Sequence, residues 1–177
     1  MHKSTLQMAL EEAASKILVS GICHNNTESI TKWVEENLIN DNPNTSDNKK
    51  IAFYEAEKSL IKKYIAENNL EQLTTLINAI DNEKFKDDPN YQKLKVNECR
   101  VLANAIIEAK RYLEEDKSMY KYLHTLLDTK YKELTDEGYR SKISDKITEA
   151  LSVVQYSDTE SSEVPTAGEI HQYCTIL

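Results

Sequence analysis

Three glycines and three prolines in 177 residues leave this chain few places to turn sharply. A β-rich or α/β domain needs many tight turns, and glycine and proline supply the unusual φ angles that those turns require. Apolar residues instead recur at three- and four-residue steps, the period that lines one face of a helix. The expected fold is therefore all-α, a bundle of about six or seven helices that bury their apolar stripes against one another.

The helices can be read one by one. Ser4-Thr5-Leu6-Gln7 has capping-box spacing and precedes Leu6, Leu10, Ala13, Ala14, Ile17 and Leu18, with Gly21 as a C-cap. Ile30, Trp33, Val34 and Leu38 mark a second helix, closed by the turn-rich run Asn40-Asp41-Asn42-Pro43-Asn44. A third starts near Asp47, with Ile51, Tyr54, Leu60, Ile61, Tyr64 and Ile65 on one side and Lys58, Lys62 and Lys63 towards water. Asn69, with Gln72 three places on, caps a fourth that carries Leu70, Leu73, Leu76, Ile77 and Ile80.

Asp88-Pro89 sets a cap and a first-turn proline for a long fifth helix carrying Tyr91, Leu94, Val101, Leu102, Ala105, Ala109, Tyr112 and Leu113. Continued to Glu115, it would be about 40 Å long. Met119 to Leu134 form a sixth helix, stopped near Gly138, and Ile143, Ile147, Leu151 and Val154 a seventh.

The domain expected from this pattern spans residues 1–154. From Gln155 the chain becomes polar and acidic, with Asp158, Glu160, Glu163 and Glu169 and no lysine or arginine after Lys146. Such a segment buries too little apolar surface to offset its ordering entropy, so residues 155–177 should be a flexible acidic tail. At its tip, Cys174-Thr175-Ile176-Leu177 reads as a C-a-a-X box. A prenyltransferase would hold the terminal carboxylate and Ile176 while the Cys174 thiolate attacks a prenyl diphosphate, and a terminal Leu177 favours geranylgeranyl. By residue frequencies such a box arises by chance in roughly one chain per thousand. Thr175-Ile176-Leu177 also fits a PDZ-domain ligand, a looser pattern expected in roughly one chain in twenty-five. The two fates exclude each other, because prenyl processing removes the three residues after the cysteine.

The formal net charge of −8 opposes general nucleic-acid binding. Glu11, Glu12 and Lys16 interrupt the apolar pattern of Met1–Gly21, so no secretory signal or membrane span is read there. Three widely spaced cysteines, Cys23, Cys99 and Cys174, imply no disulfide framework, and a cytosolic setting is expected. His2, His24, His124 and His171 are scattered without metal-ligand spacing, so no metal or cofactor is expected beyond the covalent lipid. No phosphate-binding loop, nucleophile elbow or zinc-protease motif occurs. Glu35-Glu36, Glu55, Glu57 and Glu114-Glu115-Asp116 are read as solvated helix faces rather than as catalytic carboxylates. Lys58, Lys62 and Lys63, with Lys117 and Lys121, are spaced to share helix faces and are candidate contacts for a lipid headgroup or a protein partner.

A helical, acidic, Asn-, Lys- and Ile-rich chain ending in Cys174-Thr175-Ile176-Leu177 resembles the prenylated translocated effectors of intracellular bacteria of the Legionella type. That resemblance implies a host prenyltransferase as partner and a cytosol-facing host membrane as destination, with a cytoplasmic protein where no lipid is added. It carries no family signature across residues 1–154. The expected function is a non-enzymatic adaptor tethered to a membrane through Cys174, its helical body binding a protein or lipid. The alternatives are a PDZ ligand and an all-α enzyme with a dispersed site.

Overall fold

The computed structural model describes Thr5 and residues 27–154. The expected first helix (Leu6–Leu18), Cys23, His24 and everything from Gln155 onward, including Cys174, Thr175, Ile176 and Leu177, lie outside the described residues. Within them the fold is all-α, with seven α-helices and no strand. These are α1 (Thr27–Val34), α2 (Asp47–Ala66), α3 (Leu70–Ile80), α4 (Tyr91–Glu108), α5 (Lys110–Glu115), α6 (Lys117–Lys132) and α7 (Glu137–Leu151). The central element is α4, which packs against α2, α6 and α7. Its Leu94, Cys99, Leu102, Ala105 and Ile106 are buried at the centre of one core.

Local sequence sets most boundaries. Ser46 Oγ accepts from the Lys49 amide at 3.2 Å and starts α2. Asn69 Oδ1 accepts from the Gln72 amide at 3.2 Å and starts α3, as its spacing implied. Asp116 and Asp136 cap α6 and α7 in the same way. Beyond Val34, α1 widens into a π-helical turn over Glu35–Ile39. Buried Asn37 holds that turn, donating to the Trp33 carbonyl at 2.8 Å and accepting from the Thr45 hydroxyl at 2.7 Å. The loop that follows passes through the left-handed region at Asp41, φ 48°. Trp33 stacks on Phe53 with ring centroids 4.3 Å apart, joining α1 to α2.

Three local expectations need correction. The long fifth helix is interrupted at Ala109 (φ −96°, ψ 12°), and α5 sets off separately with Leu113 fully buried. Pro89 is not a first helical residue. Asp88 Oδ1 instead accepts from the Asn90 amide at 2.8 Å in a side-chain turn, and α4 begins at Tyr91. Gly138 does not stop the sixth helix, which ends at Lys132, but lies in the first turn of α7 without a positive φ.

Candidate functional site

Helices α2 and α4 run side by side in the same direction. Asp41, just before α2, feels both Lys50 and Lys93, whereas Lys58 and Lys62 farther along α2 pair with Glu108 at the end of α4. Between them lies a groove of about 460 Å³. Its α2 wall is Asp47, Lys50, Ile51, Tyr54, Glu55 and Lys58; its α4 wall is Lys93, Leu94, Asn97, Arg100, Val101 and Asn104, with Leu38 closing one end. Each set recurs at three- and four-residue steps, so each is one helix face turned to the same space. Ile51 is 49% exposed there, although the sequence pattern placed it on the apolar side of its helix.

The basic residues divide into committed and open ones. Lys50 reaches Asp41 at 2.6 Å, and the bond with its charge holds that carboxyl below its ordinary value. Lys58 bridges Glu55 at 3.1 Å and Glu108 at 3.0 Å, so it does not simply face water. Burial would depress its ammonium pKa, yet the two carboxylates leave it raised. Arg100 Nη1 donates to Asn97 Oδ1 at 3.1 Å, and Asn97 Nδ2 approaches the Tyr54 hydroxyl at 3.5 Å. Among the described residues neither Lys93 nor Arg100 forms a salt bridge, and both are exposed.

Of the five lysines singled out in the sequence, Lys58 alone lines this groove, with Lys62 beside it on Glu108. Lys63 is exposed on α2. Lys117 and Lys121 are exposed on α6, where Lys117 borders a separate depression with Lys110, Glu114, Ser152, Val153 and Val154.

Beneath the groove the α2–α4 seam contains two carboxyl groups that water does not reach: Glu57 is 0% exposed and Glu98 is 3% exposed. The solvated face expected for Glu57 is therefore wrong. The two carboxyl groups lie close enough to share a proton, and among the described residues Glu57 Oε1, Glu57 Oε2 and Glu98 Oε1 meet no other partner. Burial raises the pKa of Glu57 well above the ordinary carboxyl value, and the charge of Glu98 adds to this. Burial also raises Glu98, to about 7, with Glu57 and Lys130 pulling it part of the way back. Both groups thus tend to keep a proton.

Lys130 and Asp81 form a buried ion pair beside them, and the Tyr91 hydroxyl donates to Asp81 Oδ1 at 2.7 Å. Burial opposes both charges, but each stabilises the other, leaving Asp81 lowered and Lys130 raised. Burial pushes the Cys99 thiol up to about 12, so it stays protonated and unreactive near neutrality. Burial, then the charges of Glu98 and Glu57, raise Tyr54, which keeps its hydroxyl proton and can donate into the groove. Among the described residues no three His, Cys, Asp or Glu side chains are arranged to hold a metal ion. No described helix is long and apolar enough to cross a membrane.

Comparison with known proteins finds no matching family model, no similar curated protein and no similar solved structure.

Proposed function

We propose that this chain is a lipid-tethered, non-enzymatic adaptor. Cys174 carries the tether, a geranylgeranyl group added at the box completed by Thr175, Ile176 and Leu177, and the helical body makes the second contact. On the resemblance to prenylated effectors of intracellular bacteria, the prenyltransferase and the membrane would be those of a host cell. The observation that carries the reading is the separation within the body. The open groove offers hydrogen-bond donors, acceptors and apolar surface, with Tyr54 held as a neutral donor, while the raised carboxyl groups of Glu57 and Glu98 and the Cys99 thiol are sealed beneath it. That arrangement suits recognition, since the carboxyl groups and thiol of most altered proton affinity do not reach a bound molecule.

The division of labour follows from lipid energetics. One prenyl chain gives reversible membrane binding, and stable anchoring takes a second signal. Residues 155–177 hold four acids, Asp158, Glu160, Glu163 and Glu169, and no lysine or arginine, so the tail does not supply an electrostatic one. The body must. Intact mass after expression in eukaryotic cytosol should show loss of Thr175-Ile176-Leu177 and gain of a geranylgeranyl group. Cys174→Ser should abolish membrane recovery and leave the helical circular dichroism unchanged. An unmodified mass, together with capture by a PDZ domain through Leu177, would transfer the terminus to the rival role.

A further inference from the structure

We propose that the α2–α4 groove binds the phosphorylated polyol headgroup of a membrane lipid, an inference that rests on the lipid-tethered reading for its cellular setting. Lys93, Asn97 and Arg100 stand at i, i+4 and i+7 on α4, so all three face the groove. They offer two positive charges and an amide, and neither cation is committed to a carboxylate among the described residues. The guanidinium of Arg100 spends one donor on Asn97 and has others open. Cationic donors of this kind match a phosphate, and the neutral Tyr54 hydroxyl adds another donor.

The opposite wall narrows the ligand class. Asp47 and Glu55 bring carboxylate acceptors to the α2 wall, where Lys50 and Lys58 balance their charge, so the uncompensated positive charge lies on α4 and the hydrogen-bond acceptors on α2. Hydroxyl groups would donate to those carboxylates, and a ligand with phosphate on one side and hydroxyls on the other is a polyol phosphate. The volume of about 460 Å³ lies within the range of small-ligand sites. Ile51, 49% exposed beside the cations, supplies apolar surface that a soluble phosphate would leave wet and a lipid would cover.

The test uses the unlipidated full chain, so that its result is independent of Cys174. Binding is measured to phosphatidylcholine vesicles alone, to vesicles doped with phosphoinositide, to vesicles doped with phosphatidylserine at matched charge, and to soluble inositol phosphate. The expected result is preference for phosphoinositide vesicles, reduced about tenfold by Lys93→Gln and about tenfold by Arg100→Gln, the loss expected for one charge-assisted hydrogen bond. Ile51→Ser should weaken vesicle binding and leave inositol phosphate binding unchanged. All three positions are exposed, and circular dichroism checks that the variants fold. Absence of binding, or equal binding to phosphatidylserine, overturns the site. Binding of soluble inositol phosphate with no response of vesicles to Ile51→Ser overturns the lipid source, and capture of an acidic peptide in place of any headgroup overturns the ligand class. None of these outcomes bears on whether Cys174 is prenylated.

Discussion

Replacing Glu98 by glutamine should make the protein more stable at pH 8 and change the shape of its stability profile. In the native fold Glu98 holds its proton up to about 7, against an ordinary 4.5. Between those values the folded chain binds a proton that the unfolded chain has released, so unfolding stability falls as pH rises. Each pH unit costs about 1.4 kcal/mol for one such proton. From 4.5 to about 7 the loss reaches about 3 kcal/mol, a large fraction of a typical domain's stability. Glu57, also raised, extends the decline in the same direction. Glutamine cannot ionise and removes the charge that helps raise Glu57, while any misfit of its amide costs the same at every pH. Urea unfolding of both proteins at half-unit steps from pH 5 to 8 should give curves that diverge with pH, the variant gaining about 3 kcal/mol on the wild type across the range. Asp81, Asp41 and Glu108 have lowered values and are ionised throughout this window, so they contribute no slope. Parallel curves would refute the raised proton affinity and with it the dry carboxyl pair.

The helices were legible because periodicity and capping are local. Asn69 with Gln72 announced the start of α3, and the structure forms that bond. The interruption at Ala109 was not legible, since alanine is the best helix former and nothing nearby in sequence opposes continuation. Glu57 was misread because a charge on an amphipathic helix is normally outward. Its phase held the missing signal: it stands four residues after Phe53 and four before Ile61, both buried, squarely on the apolar stripe. Glu98 repeats this four residues after Leu94 and four before Leu102. The groove was invisible for a different reason. Lys58 is on α2 while Lys93 and Arg100 are on α4, and which helix faces which is decided by tertiary packing rather than by spacing along either one.

Two further predictions concern the core. Phe53→Ala empties a fully buried site and removes the stack on Trp33, so urea unfolding should show a loss of about 3–5 kcal/mol, and a loss under 1 kcal/mol would contradict the packing of α1 on α2. The Asp81–Lys130 pair calls for a double-mutant cycle. Asp81→Asn leaves the Lys130 ammonium buried without its counter-charge, a change expected to cost about 3–5 kcal/mol. Lys130→Met leaves Asp81 charged with the Tyr91 hydroxyl at 2.7 Å and the more distant charge of Lys95 to hold it, and also removes the cation that restrains Glu57 and Glu98. Combining the two substitutions removes both halves of the pair, so the double variant should be more stable than the sum of the single losses predicts. The cycle, read by urea unfolding at pH 7, should therefore return a favourable coupling of about 2 kcal/mol or more, within the range for contacting residues. The pH profile supplies an independent check. Lys130 holds both raised carboxyl groups down, so in Lys130→Met the decline in stability should continue to higher pH than in the wild type. Additive losses together with an unmoved profile would mean that Lys130 is not electrostatically joined to Asp81 or to the carboxyl pair beneath the groove.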